Sequence, residues 1–163
     1  MTVHTYQTTI TWTGNSTGRG TTAYTAYERD FVASVFGKAD IAGSADPAFR
    51  GDATRWNPEE LMLAALSACH KLWYLHLCAV NGIKVLTYVD EASAEMQEGQ
   101  KDRPGHFVSA RLAPRITISH DSDPDTARAL HDQAHEACFI ANSVNFPVYC
   151  APDVVRAEQT PPA

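Results

Sequence analysis

The sequence lacks the features of a nucleic-acid-binding or membrane-spanning protein. Its 13 Lys and Arg residues are outnumbered by 19 Asp and Glu, which gives a net charge of −6, and the basic residues are scattered. A surface for polyanions is therefore not expected. The most apolar stretch, residues 61–80, contains Ser67, His70, Lys71 and His76, which a bilayer accommodates only at a high free-energy cost. We expect neither nucleic acid nor membrane as a partner.

Segments and motifs that would assign a function directly are also missing. The N-terminus has neither a basic nor an apolar stretch, so we expect no secretory signal and a cytoplasmic protein. The sequence contains no nucleophile elbow, phosphate-binding loop, dinucleotide-binding glycine motif or zinc-protease motif. Its four cysteines, in a cytoplasmic chain, are more typical of core residues, metal ligands or redox groups than of disulfides.

The length of 163 residues fits one domain, which we predict over residues 1–157, with a flexible C-terminal tail over 158–163. The clearest element is a helix from Pro58 to Asn81, with Asn57 as its N-cap and Gly82 just past its end. Its apolar side chains point to nearly all sides. This pattern is typical of a core helix that a curved sheet or a second subunit covers.

The remaining elements predict an α+β fold. Residues 8–12 and 21–34 flank a glycine-rich turn and predict a first hairpin, and residues 83–96 and 107–118 predict a second. A second helix is expected from Asp123 to about Cys138, and a last short strand within residues 148–156. The order β-β-α-β-β-α-β differs from the alternation of parallel α/β proteins.

Two cysteines have neighbours that suggest chemistry. Cys69 shares a helical face with Trp73 and His76, and Glu59 flanks that face. Cys69 is therefore either a reactive thiol or an inert core residue. Cys78 is expected in the core, and nothing near Cys150 suggests a role for it.

Cys138 closes the pattern His131-x3-His135-x2-Cys138. These positions would share one face of the second helix, and His and Cys are the usual zinc ligands. The alternatives here are a metal site and a plain helical surface.

Taken together, the two cysteine motifs resemble the signatures of the OsmC/Ohr family, the osmotically inducible and organic hydroperoxide resistance proteins. The first motif is NPEEL at 57–61 with SACH at 67–70, and the second is CFIANS at 138–143. WTGN at 12–15 and YERD at 27–30 resemble the N-terminal hairpin of the OsmC-like branch. The resemblance implies an OsmC-like fold with two β-hairpin regions around a long buried central helix, in an intertwined homodimer. It also implies active sites at the dimer interface and no metal or organic cofactor.

The resemblance further implies a thiol peroxidase that reduces organic hydroperoxides to alcohols. Cys69 would be the peroxidatic cysteine, whose thiolate attacks the peroxide and becomes a sulfenic acid. Cys138 would be the resolving cysteine, which forms a disulfide with it. A dithiol reductant, a lipoylated protein in relatives, would then reduce the pair.

By the same resemblance, Glu59 would hold an arginine that stabilises the thiolate. The OsmC-like branch points to Arg50 and the Ohr branch to Arg19, while Arg55 is also close in sequence. Arg19 and Trp73 are the candidates for substrate binding.

Two other functions remain open at this stage. One is a non-enzymatic dimer that binds a ligand or senses oxidants. It is suggested by Phe139, which follows the second cysteine where many relatives have proline. The other is a metal-binding module that uses His131, His135 and Cys138.

Overall fold

The computed structural model describes residues 2–159, which divide after Met62 into two compact units. The first unit holds an antiparallel sheet of three short strands in the order β1-β2-β3. These strands are β1 (Thr9–Trp12), β2 (Phe31–Ser34) and β3 (Ile41–Gly43). The predicted first hairpin is confirmed, but residues 21–30 form turns rather than strand.

Arg29 explains why the segment before β2 is not extended. Its guanidinium donates hydrogen bonds to the carbonyls of Tyr24 and Tyr27, at 2.8 and 2.6 Å. It also stacks on both tyrosine rings, 4.4 and 4.1 Å from their centroids. The Arg29 guanidinium thus holds residues 24–29 in a folded, non-extended conformation.

Helix α1 (Pro58–Val80) begins as the sequence predicts. The Glu60 N–H donates to the Asn57 side-chain oxygen at 2.7 Å, and the Asn57 N–H donates to the Glu60 carboxylate at 3.1 Å. These reciprocal bonds form a capping box. After the helix, Gly82 has a φ of 73°, a left-handed conformation that glycine adopts without strain.

Within this chain α1 is buried along one stripe only. Its buried residues lie four apart, at Leu66, His70, Tyr74 and Cys78, while Leu72 and Val80 are more than half exposed. The predicted burial of the helix is therefore correct for one side of it. By length and composition alone α1 could also cross a membrane, a test that core helices of soluble proteins pass as well.

The second unit contains two three-stranded sheets, in the orders β4-β7-β9 and β5-β6-β8. The first is formed by β4 (Val85–Asp90), β7 (Pro114–Ile118) and β9 (Asp153–Arg156), the second by β5 (Ser93–Gln97), β6 (His106–Leu112) and β8 (Val148–Cys150). In each sheet the first pairing is antiparallel and the second parallel. The strands predicted at 83–96, 107–118 and 148–156 are thus each two strands, interrupted at a common level.

Local contacts account for these interruptions. Pro152, between β8 and β9, has no N–H to donate to a ladder. At the gap between β6 and β7, the Ala113 N–H donates at 2.7 Å to the carboxylate of Asp90, which ends β4. At this bend a backbone N–H that would otherwise donate to a neighbouring strand donates to a side-chain carboxylate instead.

Helix α2 (Pro124–Ala137) is capped by Asp123, whose carboxylate accepts the Thr126 N–H at 2.9 Å. Its buried residues Ala127, Leu130 and Ala134 pack with Tyr74 of α1 and Ile116 of β7 in the main apolar core.

The α+β class is confirmed. The single domain over 1–157 stays a prediction, and residues 160–163 of the predicted tail 158–163 lie outside the described residues.

Replacing Asn57 tests whether its cap stabilises α1. Asn57→Ala removes the side-chain acceptor from a largely buried cap, so we expect the free energy of unfolding to fall by about 1 kcal/mol. Urea unfolding followed by circular dichroism measures this change. Asn57→Asp keeps the acceptor and is the matched control. Equal stability of the alanine and aspartate variants would contradict the capping role.

Candidate functional site

The two cysteines of the sequence motifs meet in one apolar cluster. Cys69 lies half-buried on α1, and Cys138 is fully buried directly after α2. Both pack with Leu66, Ala110 and Leu112. All four cysteines of the chain are free thiols. The second unit thus holds the predicted pair side by side in its reduced form.

The turn after Cys138 is fixed by hydrogen bonds from the second motif. The Ala141 N–H donates to the Cys138 sulfur at 3.4 Å. The Asn142 side chain donates to the Glu136 carbonyl at 2.8 Å, and the Ser143 hydroxyl donates to the Phe139 carbonyl at 2.7 Å. These bonds hold the sulfur in place although Phe139 stands where proline would otherwise restrain the backbone.

The Cys138 thiol is held in its protonated form. Burial raises its pKa to about 11, and the neighbouring Cys69 thiol adds to the rise, whereas the Ala141 N–H acts against it. Cys138 is therefore a poor nucleophile toward solvent at neutral pH. Its buried position instead suits a reaction with a neighbouring group inside the protein, such as Cys69.

Aromatic side chains lie beside this pair. Trp73 packs edge-on against His76 and Phe139, with ring centroids 5.9 and 5.7 Å apart, and it also packs against the cluster that contains Cys138. Leu72, Trp73 and His76 line a shallow apolar depression of about 300 Å³. Trp73 is thus placed where an apolar ligand would find contacts.

The three candidate arginines differ in their partners within the first unit. Arg55 is engaged by two carboxylates, with its Nε 3.2 Å from Asp30 and 3.4 Å from Asp52. Arg19 and Arg50 line one depression and, among the described residues, neither forms a salt bridge. Arg50 has a φ of 67°, a conformation that costs a non-glycine residue on the order of 1 kcal/mol.

Glu59 carries an unmatched polar atom in the first turn of α1. Its Oε2 is buried and has no hydrogen-bond partner among the described residues. A buried carboxylate without a partner is costly, so such a group calls for a cation or a donor. The predicted role of Glu59 as a holder of an arginine agrees with this need, but no contact described here tests it.

Of the two alternatives for His131, His135 and Cys138, the structure does not support the metal site, because these three residues do not form a group of converging ligands among residues 2–159. Helix α2 ends at Ala137 with Cys138 as its C-cap, and Cys138 packs with Leu66 and Leu112 in the cluster beside Cys69. His131 instead faces His70 and Cys150. Among residues 2–159 these three form the only group of three or more His, Cys, Asp or Glu whose ligand atoms lie within 4.8 Å of one another.

His70 and Cys150 were missed because no sequence signal joins them to His131. They lie 61 and 19 residues from it along the chain, and only the tertiary fold brings them together. Burial lowers the pKa of both histidines, to about 3 for His131, so both rings are neutral at pH 7. Burial raises the pKa of the Cys150 thiol to about 12, and the charges of Asp90 and Asp132 add to this.

Comparison with known proteins identifies relatives of the whole chain. Residues 51–151 match the model of a family described as OsmC-like protein. A solved OsmC-like protein of unknown function from Vibrio cholerae is 28% identical, with a TM-score of 0.80 over 92% of this chain and 99% of that one. No curated protein matches the chain.

Two solved structures named organic hydroperoxide resistance proteins share the fold. The one from Elizabethkingia anophelis is 18% identical, with a TM-score of 0.67 over 96% of this chain and 99% of that one. The one from Bacillus subtilis is also 18% identical, with a TM-score of 0.60 over 92% and 98%. At 18% identity these comparisons show a shared fold and no more.

The raised pKa of Cys138 predicts slow alkylation. At pH 8 we expect iodoacetamide to modify Cys138 at least about 100-fold more slowly in the folded than in the urea-unfolded protein, because little thiolate is present. The rate should rise steeply with pH toward 11. Quantitative mass spectrometry of the Cys138 peptide measures both rates. Equal labelling of folded and unfolded protein would show that the thiol is neither buried nor protonated.

Proposed function

The chain belongs to the family of OsmC-like proteins, and on this premise we propose that it is a thiol peroxidase for organic hydroperoxides. The observation that carries the proposal is the packing of two free thiols, Cys69 and Cys138, in one apolar cluster. Their unequal exposure fits unequal roles. Relatives named for organic hydroperoxide resistance share the fold.

The reaction we propose begins at Cys69, the more exposed thiol of the pair. Its thiolate bonds to the terminal peroxide oxygen, the O–O bond breaks, and the alkoxide takes up a proton to leave as an alcohol. Cys69 is then a sulfenic acid. The Cys138 sulfur attacks it, which forms a disulfide and releases water.

Reduction completes the cycle. An external dithiol, such as a lipoylated protein, attacks the disulfide and leaves as a disulfide itself, so that both cysteines return as thiols. The protonated, buried state of Cys138 supports this order of events, because this thiol is protected from oxidants until Cys69 has reacted.

An arginine is needed to stabilise the Cys69 thiolate in apolar surroundings. We propose Arg50 for this role, with Arg19 as the alternative, and Glu59 as the residue that holds it. Arg55 is less suitable because Asp30 and Asp52 already neutralise it. The unmatched Oε2 of Glu59 supports its role as the partner of a guanidinium.

The assembly we propose is a cytoplasmic homodimer with active sites at its interface. The exposed apolar side chains of α1, Leu72 and Val80 among them, support a second subunit because isolated chains seldom leave a core helix covered on one side. Trp73 and its apolar neighbours favour an alkyl or aryl hydroperoxide over hydrogen peroxide.

A peroxide titration followed by intact-mass analysis tests the two-cysteine mechanism. One equivalent of cumene hydroperoxide should remove about two mass units from the wild type, as a disulfide forms. Cys138→Ser should instead gain about 16 mass units per oxygen and over-oxidise, because no thiol resolves the sulfenic acid. Cys69→Ser should remain unchanged.

Cys78→Ser is the matched control, since Cys78 is buried on the same helix but packs in the other cluster; it should react like the wild type. Hydrogen peroxide should oxidise the wild type more slowly than cumene hydroperoxide. If the wild type keeps all its thiols in the presence of cumene hydroperoxide, the peroxidase proposal fails. A non-enzymatic ligand-binding or oxidant-sensing dimer is then the better hypothesis.

Charge-neutralising variants test the choice of arginine. Arg50→Gln should slow the oxidation of Cys69 at pH 7 by about 10- to 100-fold, because the cation that would stabilise the thiolate is lost. Arg55→Gln is the control and should change the rate less than about 2-fold. Stopped-flow fluorescence with limiting peroxide measures the rate constants. If only Arg19→Gln slows the oxidation of Cys69, Arg19 rather than Arg50 stabilises the thiolate. If neither variant slows the oxidation, neither arginine has this role.

A further inference from the structure

Three potential metal ligands lie close together inside the second unit, and one of them, Cys150, also packs against the cluster that contains Cys69 and Cys138. His70 Nε2 from α1 lies 3.0 Å from His131 Nδ1 of α2. Cys150 Sγ, at the end of β8, lies 3.6 Å from the first nitrogen and 3.8 Å from the second. All three donor atoms thus lie within 4.8 Å of one another, although they belong to three different elements.

The spacing of these atoms matches the size of a transition-metal ion. An ion placed between them would lie about 2 Å from each atom, close to the usual Zn–N distance of about 2.0–2.1 Å and Zn–S distance of about 2.3 Å. Without an ion, the two nearly coplanar rings share one hydrogen-bonding proton, and the Cys150 thiol is a hydrogen-bond partner of both nitrogens. A bound ion would replace these protons and take both nitrogens and the sulfur as ligands.

The surroundings suit a bound cation. His70 and His131 are 1% and 2% exposed, so water competes little for their nitrogens. Zn²⁺ with one thiolate leaves one net positive charge, and the carboxylates of Asp90 and Asp132 lie close enough to act electrostatically on Cys150. Cys150 is itself only half-buried, so solvent reaches part of this residue.

We propose that His70, His131 and Cys150 form a binding site for Zn²⁺ or a similar late transition-metal ion. Binding would release the thiol proton of Cys150 and join α1, α2 and β8 through one ion. His70 follows Cys69 directly, but consecutive residues point about 100° apart on a helix. The ion would therefore stabilise the elements that carry the reactive cysteines without touching those thiols.

Co²⁺ is a suitable probe because a bound thiolate gives it a charge-transfer absorption. We would use the full chain as the Cys69→Ser/Cys138→Ser variant, freed of metal by chelation, so that the reactive pair cannot bind the probe. It should bind one equivalent of Co²⁺ with this absorption, and Zn²⁺ should displace it. This readout does not depend on peroxidase activity, so its outcome is separate from that of the proposed function.

Variants of the third ligand decide the assignment. Adding Cys150→Ser should abolish the charge-transfer absorption and weaken binding at least about 10-fold. Adding Cys150→His should restore one-equivalent binding without that absorption, which a variant that merely misfolds would not do. Adding Cys78→Ser, the control, should change neither. No stoichiometric binding in the parent variant, or an absorption that survives Cys150→Ser, would overturn the proposal.

Discussion

The carboxylate of Asp90 joins helix α1 to the bent strands of the second unit. One of its oxygens accepts the Ala113 N–H at 2.7 Å, at the gap between β6 and β7. The other accepts the Ser67 hydroxyl at 2.5 Å, from α1. Ser67 lies two residues before Cys69. This carboxylate therefore links the part of α1 that carries Cys69 to the strands through charge-assisted contacts, the stronger class of hydrogen bond.

The sequence predicts those features that depend on neighbouring residues. The capping box of Asn57 and Glu60 and the start of α2 at Asp123 are local, and both are found where expected. The bends in the strands were not predicted, although two prolines signalled them. Pro114 begins β7 inside the predicted strand 107–118, and Pro152 lies between β8 and β9. The roles of Cys69 and Cys138 came from family resemblance rather than from spacing.

The surroundings of His131 show what helical periodicity does not report. Counting residues places His131, His135 and Cys138 on one face of α2, and His131 and Cys138 are both buried. Their side chains nevertheless meet different neighbours, because Cys138 packs in the cluster with Cys69 and His131 lies beside His70 and Cys150. The contacts of His131 with α1 and β8 cannot be predicted from the pattern of residues within α2.

The separation of Cys69 and Cys138 along the chain gives their oxidation a consequence beyond chemistry. A bond between them would close a loop of about 70 residues, and in the chain-entropy model this restricts the unfolded ensemble by about 4 kcal/mol. Such a shift reduces the fraction of unfolded chains about a thousandfold. Because proteases act mainly on opened chains, the oxidised protein would outlive the reduced one. Its cellular lifetime would then rise whenever peroxide supply exceeds the supply of reductant.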